Sequence, residues 1–383
     1  MTAAPAIVGL GITEVGKVYD RTARDFAADA VRRACADAGI STGELDGLLV
    51  LPGLSDDLDL GLAEDLGVRD LKLLNEIRGD GTSACTAITF ACLAIGSGMA
   101  GMVACVFADA PLRRDRRAGA AYTPQEPPAG FDGLIADAGL AGGHAQYALA
   151  TRRHMAAFGT TSEQLGAIAV AQRAWARGNP LAQQRDPMTL ADHQNSRLIA
   201  DPLRLLDCCL VSNGGIAVIV ASASRARALA QPPVHVLGHA QSHPIHPEGR
   251  GSGFGLVSGA ARSGPAALRM AGATIEDVGV AELYDCFTFA VLLTLEDYGF
   301  CAKGEGGPFV EEGRLLPGAG RLAVNTGGGQ LSGYYLWGMT PVAEAVIQAR
   351  GAGGDRQADD HELVMVSGNG GVLHHHSTLV LGA

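Results

Sequence analysis

A duplicated α/β architecture is the fold class this sequence predicts, and three observations predict it. Strand-like and helix-like segments alternate along the chain instead of being segregated into all-β and all-α stretches. The alternation runs twice in similar order, on either side of the Pro-Pro step at 232 and 233, which suggests units at 1–231 and 232–383. The length, 383 residues, also exceeds the roughly 250 to 300 residues that one hydrophobic core ordinarily supports.

The segment "AIVGLG" at 6 to 11 is apolar and ends on glycine, as a buried strand does. "ARDFAADAVRRACADAGI" at 23 to 40 repeats apolar residues at helical spacing and stops at a glycine; "LDGLLVL" at 45 to 51 returns to strand. The opening is therefore a βαβ unit. "GTSACTAITFACLAIGSGMAGMVACVFADA" at 81 to 110 reads as a small-residue helix followed by an apolar strand. A helix so lean in side chains suits only a tightly packed interior, so it is expected at the centre of the molecule. From about 111 to 200 the periodicity weakens among Pro and Gly clusters and polar helices such as 162 to 179, the mark of an inserted loop or cap region. "CCLVSNGGIAVIVASA" at 208 to 223 predicts a strand pair. Past the Pro-Pro step the pattern restarts with strand "VHVLGHA", helix "SGPAALRMAGA", strand "VGVAELYD" and helix "CFTFAVLLTLEDYGF". A glycine loop, helix "PVAEAVIQARG" and strands "ELVMVSGNGG" and "STLVLGA" complete it.

Composition excludes several functions. Hydrophobic residues make up 47%, yet no run approaches the ~20 uninterrupted apolar residues of a spanning helix. The first twenty residues lack the basic start and long apolar stretch of a signal peptide, so a soluble, cytoplasmic protein is expected. A net charge of −11 argues against nucleic acid as a partner. The eight cysteines lack CxxC spacing and sit mostly in apolar segments, as reduced buried thiols do. "LRRDRRAG" at 112 to 119 is the densest basic cluster, read as a solvated loop with a phosphate contact as the alternative.

Four glycine-bounded segments, at 81 to 86, 282 to 287, 325 to 335 and 367 to 371, carry the functional signal. Glycines at strand ends and helix starts let backbone approach a ligand closely. In this order the four resemble the thiolase superfamily, and more closely its sterol-carrier-protein-like branch. "AELYDCFTF" at 281 to 289 is similar to that branch's Glu-Leu-His-Asp-Cys-Phe segment. "NTGGGQLSGYY" at 325 to 335 is similar to the thiolase Asn-x-Gly-Gly and Gly-His-Pro segment, and "GTSACTAITFACLAIGSG" to the helix bearing the thiolase nucleophile. The resemblance covers nearly the whole chain. It implies a thiolase fold: two duplicated βαβαβ-type domains in a layered α-β-α-β-α arrangement with an inserted loop or cap.

The departures from that pattern direct the functional reading. Registered on Ala91 and Gly98, the family's catalytic cysteine position falls on Gly81, while Cys85 lies about one turn further inside the helix. The C-terminal glycine loop "VMVSGNGG" has neither thiol nor histidine. Two further family positions become phenols: Tyr284 in the first motif and, with the segment anchored on Gly333, Tyr334 in place of the Gly-His-Pro histidine. On this register Tyr335 replaces the proline and supplies shape, and Trp337 helps wall the pocket. The pattern resembles the aldolases of bacterial steroid side-chain degradation, which keep the thiolase fold and cleave β-hydroxyacyl-CoA thioesters.

Retro-aldol cleavage needs a base for the β-hydroxyl, a donor for the thioester oxygen as it becomes an enolate, and an acid for the α-carbon. It needs no covalent nucleophile. The phenols supply these roles, Tyr284 as base and Tyr334 as donor and acid or the reverse, with Asp285 either orienting the pair or capping the following helix. Gly81 opens room for a bulky tertiary carbinol, and Gly328, Gly333 and Gly370 are candidate substrate-binding positions. "SNGG" at 212 to 215 and "SGNGG" at 367 to 371 read as backbone turns lining the pocket. The three lysines, Lys17, Lys72 and Lys303, do not suggest a Schiff base. His243 and His246 of "SHPIHP", and His374, His375 and His376, lack the carboxylate or helical spacing of a metal site.

The resemblance implies no cofactor, coenzyme A being part of the substrate, and neither metal nor membrane. It implies a homodimer working with a small OB-fold, zinc-ribbon acyl-CoA-binding partner. The steroid substrate it suggests is a 17-hydroxy-20-carboxyl-CoA giving a 17-ketosteroid and propionyl-CoA. The alternatives are a thiolase-type acyl transferase using Cys85 or Cys286, and a non-catalytic acyl-CoA-binding subunit.

Overall fold

A computed structural model describes residues 4–122, 129–140, 142–244 and 253–383. Ten strands form one mixed sheet: β1 (Ala6–Ile12), β2 (Gly47–Pro52), β3 (Leu73–Glu76), β4 (Met102–Asp109), β5 (Gly214–Ala221), β6 (Val234–Ser242), β7 (Val280–Glu282), β8 (Ala323–Val324), β9 (Leu363–Gly370) and β10 (His375–Gly382). Across the sheet the order is β8-β7-β9-β10-β6-β1-β5-β4-β2-β3. Outward from the centre, β1-β5-β4-β2-β3 on one side mirrors β6-β10-β9-β7-β8 on the other. Each half makes the same sequence of antiparallel, antiparallel, parallel and parallel pairings. The halves meet where Ala6 and Ile7 pair with His235 and Val234.

Seven helices matter for the site: α1 (Ala23–Ala38), α2 (Ser83–Gly96), α3 (Gly143–Phe158), α4 (Ser162–Ala176), α5 (Ala260–Ala271), α6 (Thr288–Tyr298) and α7 (Met339–Ala349). α1 starts in a Thr22/Asp25 capping box and stops at Gly39 in the left-handed region, the local chemistry its sequence calls for. It covers the outer face of the first half-sheet on β1, β5 and β4; α5 covers β6 and β10 of the second, with α6 packed beside it. Between the half-sheets lie α2 and α7, each touching strands of both. That is the layered α-β-α-β-α arrangement, and α2 holds the central position expected of it.

The physical reason is size. Ala84, Cys85, Ala87, Ile88, Ala91, Cys92, Ala94 and Ile95 of α2 are all buried, and their small volumes let strands approach from both sides. The ridge of Val, Leu and Ile from the facing strands then closes one continuous core around α2 and α7.

Some local expectations differ. Residues 208 to 223 contain a single strand, β5 (Gly214–Ala221), because the backbone of Cys209 and Leu210 bonds instead to Cys286 and Gln330. Edge strands β3 and β8 are four and two residues long, too short to show a period of two. The inserted region between β4 and β5 contains α3 and α4, whose buried faces pack on the second core around α6.

Candidate active site

Strand β7 ends at Glu282 and α6 begins at Thr288; the five residues between them are fixed by side chains from three other segments. Leu283 donates its N–H to Asn325 Oδ1 (2.6 Å) and accepts from Asn325 Nδ2 (3.0 Å), so the asparagine of "NTGGG" clamps this crossing. Tyr284 donates its N–H to Ser367 Oγ at 2.8 Å. Held this way, its ring lies over Gly81. A Cβ at Gly81 would stand 2.3 Å from Cε2 and Cζ of Tyr284 and 2.2 Å from the Asn369 carbonyl oxygen. The expectation that Gly81 makes room for a substrate carbinol is therefore corrected: the space is taken by the Tyr284 ring.

Opposite stands a wide turn over Gly329–Gly333, with i to i−5 bonds from Gly333 N to Gly328 O (3.1 Å) and Tyr334 N to Gly329 O (3.2 Å). Asp285 organises it. Its carboxyl oxygens accept from Gln330 N at 3.0 and 2.9 Å and from Leu331 N at 3.3 Å, and its side chain is fully buried. Asp285 is thus neither a cap of α6, which starts at an N-cap Phe287 without side-chain bond, nor a direct partner of Tyr284. It holds the turn that precedes Tyr334 and Tyr335.

The turn delivers an extended backbone at Tyr334, φ −155° and ψ 158°. In extended chain successive side chains point to opposite faces, so Tyr334 and Tyr335 diverge. Tyr335 donates its N–H to Ser212 Oγ (2.9 Å), which also accepts from Gln183 Nε2 (2.6 Å). Its hydroxyl lies 2.9 Å from that of Tyr284. Tyr334 instead lines a small cavity of about 10 Å³ with Glu282, Asp285, Asn325 and Glu344. The paired phenols are Tyr284 and Tyr335, not Tyr284 and Tyr334. Tyr334, expected from the sequence to pair with Tyr284, lines the cavity by Glu282 and Glu344 instead.

Burial raises the three tyrosines and Asp285. Tyr284 and Tyr335 are pushed well above the usual phenol range by desolvation, opposed at Tyr284 by the bond from Tyr335. Tyr334 is raised too, by burial and then by Glu344. Among the described residues no cation lies against Tyr284, so the idea of a phenolate stabilised by its neighbours is not supported; the resting pair is neutral. Asp285 rises to about 7, burial outweighing the amides of Gln330 and Leu331.

That last shift has a testable sign. Between the ordinary 3.8 and about 7 the folded protein keeps a proton that the unfolded chain has released. The stability from this group is complete below pH 4 and is lost as pH rises to 7, on the order of 4 kcal/mol in all. Chemical denaturation from pH 4.5 to 7.5 should show this fall, and Asp285→Asn should flatten it; an unchanged slope would remove the assignment. Asp285→Ala strands the Gln330 and Leu331 amides and should destabilise by about 2 to 4 kcal/mol.

The remaining glycines meet protein. A Cβ at Gly328 (φ +85°) would lie 2.4 Å from Ala176 Cβ, at Gly333 2.9 Å from Gly327 O, and at Gly370 2.5 Å from Gly79 O. Each allows two chain segments to approach. Both thiol candidates are raised to about 12 by burial, Cys85 inside α2 and Cys286 beside Tyr147, and are protonated at neutral pH. Lys303 is ion-paired with Glu296 (3.1 Å) and Asp297 (2.5 Å). His243 Nδ1 lies 3.1 Å from His375 Nδ1, His376 is buried against Tyr298, and His246 lies outside the described residues. Among the described residues no group of three or more potential metal ligands forms. Trp337 packs on Phe107, ring centroids 5.4 Å apart.

One participant was not expected. Tyr147 of α3 stacks on Phe287 (centroids 4.7 Å apart) and its hydroxyl accepts from Asn369 Nδ2 at 2.8 Å. It lies in the weakly periodic insertion, where the only signal is the buried face Tyr147, Ala150, Thr151 and His154 at helical spacing.

Comparison with known proteins shows the family of the chain. A family model described as "Thiolase C-terminal domain-like" matches residues 250–383. The chain is 37% identical over 379 residues to "17-hydroxy-3-oxo-4-pregnene-20-carboxyl-CoA lyase" of Mycobacterium tuberculosis, covering 95% of this chain and 96% of that one. It is 37% identical over 390 residues to "Steroid side-chain-cleaving aldolase" of Thermomonospora curvata, covering 99% and 98%. Among solved structures, one titled "Ltp2-ChsH2(DUF35) aldolase" superposes with a TM-score of 0.89 at 37% identity, covering 100% of this chain and 98% of that one.

Proposed function

The chain belongs to the thiolase-like family of the sterol-carrier-protein thiolases, and on that premise we propose that it is a carbon–carbon lyase acting on a 3-hydroxyacyl-CoA. The substrate is a steroid 17-hydroxy-20-carboxyl-CoA, cleaved to a 17-ketosteroid and propionyl-CoA. The bond between the carbinol and α-carbons breaks, its electron pair passes into the thioester as an enolate, and the carbinol becomes a ketone. One proton leaves the β-hydroxyl and one arrives at the α-carbon, so the reaction balances without water, oxidant or metal.

The observation that carries this reading is the exchange of a nucleophile position for a phenol: a side chain at Gly81 is excluded by Tyr284, which shares a 2.9 Å hydrogen bond with Tyr335. A neutral, hydrogen-bonded phenol pair suits a reaction whose net proton movement is from oxygen to carbon. The β-hydroxyl proton enters one phenol as that phenol passes its own proton across the shared hydrogen bond to the other, which gives its proton to the α-carbon, so neither must ionise fully in a site that disfavours phenolate. The protonated state of Cys85 and Cys286 argues against acyl transfer.

The chain acts as a homodimer with a small OB-fold, zinc-ribbon partner that binds acyl-CoA. The partner is supported by the solved relative, titled as an aldolase with ChsH2(DUF35). The dimer is supported by the outer edge of β3, which ends the sheet and exposes Leu74. To test the function, the chain is incubated with and without its co-expressed partner and a 17-hydroxy-20-carboxyl-CoA steroid, and products are separated by mass. Equimolar 17-ketosteroid and propionyl-CoA are expected. No cleavage with a verified partner across several 3-hydroxyacyl-CoA substrates, or an acyl adduct on Cys85 or Cys286, would sink the proposal.

A further inference from the structure

The phenol pair has two tasks in the proposed cleavage, at the β-hydroxyl and at the α-carbon; negative charge meanwhile develops on a third atom, the thioester oxygen. We propose that the Tyr147 hydroxyl is the hydrogen-bond donor to that oxygen and that Asn369 is the positioning residue that aims it. The inference rests on the retro-aldol reading and adds its third group.

Several observations converge on the pair. The carbonyl of Asn369 closes the space beside Gly81 that the Tyr284 ring also borders, so its residue sits at the reaction centre. Its side-chain Nδ2 donates to the Tyr147 hydroxyl at 2.8 Å. A phenol oxygen that accepts a hydrogen bond keeps its own proton for another acceptor. The Tyr147 ring is fixed by Phe287 on one side and its hydroxyl hydrogen-bonds the Cys286 thiol, the residue after Asp285, a weak acceptor that a thioester oxygen would replace. Its helix is anchored by buried His154, which bonds Thr160 (2.8 Å) and Glu296 of α6 (3.1 Å). The donor is thus carried on a helix tied to the one that follows Tyr284, as a preorganised dipole must be. Finally, Asn369 Oδ1 is buried and has no hydrogen-bond partner among the described residues. That open acceptor takes a ligand donor such as the β-hydroxyl and not the thioester oxygen, so the pair offers the substrate one donor, on Tyr147, and one acceptor, on Asn369.

Two readouts separate this role from a structural one. Wild-type enzyme should exchange the α-protons of propionyl-CoA in D₂O, the α-proton passing through the phenol pair to a solvent water in the ketone's place, because that reaction needs the enolate donor and the pair but no β-hydroxyl. Tyr147→Phe, with its melting temperature near wild type, should slow exchange and kcat for cleavage together by about 10² to 10³, with KM changed much less. Asn369→Asp should be worse than Asn369→Ala, since a carboxylate would accept the Tyr147 proton and silence the donor. Wild-type exchange retained in Tyr147→Phe, an effect confined to KM, an alanine variant worse than the aspartate, or no exchange by the wild type would each overturn the proposal. A wild type that exchanges but cleaves no 3-hydroxyacyl-CoA would instead defeat the retro-aldol reading and leave the donor role standing.

Discussion

Gly81→Cys should abolish cleavage and install no acyl transfer. Restoring a thiol at the start of α2 looks like a return to nucleophilic chemistry, since a helix N-terminus favours a thiolate. The packing forbids it. The new Cβ would lie 2.2 Å from the Asn369 carbonyl and 2.3 Å from two atoms of the Tyr284 ring. The carbonyl belongs to β9, paired along its whole length with β10, and cannot withdraw without unzipping that ladder, so the ring must move. Displaced, Tyr284 loses its bond to Tyr335. We expect kcat/KM to fall at least about 10³-fold, with about 1 to 3 kcal/mol of destabilisation from overpacking, and Gly81→Ala to do the same. Product analysis by mass, a search for an acyl adduct and a denaturation curve together decide it. An active Gly81→Ala, or an acyl group on the introduced thiol of Gly81→Cys after incubation with acyl-CoA, would show that Tyr284 does not depend on the missing Cβ.

The same steric fact explains what could be read from sequence. The absence of the nucleophile and the arrival of Tyr284 appear in the sequence as two separate departures, 203 residues apart, and each was legible. Their mutual exclusion was not, because it depends on how β9 brings Asn369 and Gly81 together. The duplicated fold was legible for a different reason: apolar strands such as β4 and β5 and a small-residue helix like α2 announce burial on all sides by composition alone. The choice between adjacent tyrosines was not legible from composition, since in an extended segment one position of register decides which face a ring occupies. Tyr147 was hidden further still. Its meaning comes from Asn369, 222 residues away, and its own helix shows only a buried face at helical spacing.

Tyr335→Phe should therefore be far more damaging than Tyr334→Phe, although the two substitutions remove the same atom from neighbouring residues. Without the Tyr335 hydroxyl, that of Tyr284 loses the partner 2.9 Å away, and a proton taken from the β-hydroxyl has no second phenol to replace it. We expect kcat/KM to drop about 10² to 10⁴-fold while stability changes by only about 1 kcal/mol. Tyr334→Phe alters the wall of the small cavity by Glu282 and Glu344 and should leave turnover within a few-fold of wild type. The pH profile provides an independent check. Both phenols of the pair are raised by burial, so the wild-type rate should not climb tenfold per pH unit between about pH 8 and 10, as it would were a free phenolate the base. A steep alkaline rise, or a Tyr334→Phe variant crippled while Tyr335→Phe stays active, would return the chemistry to a single ionised tyrosine on the other face of the segment.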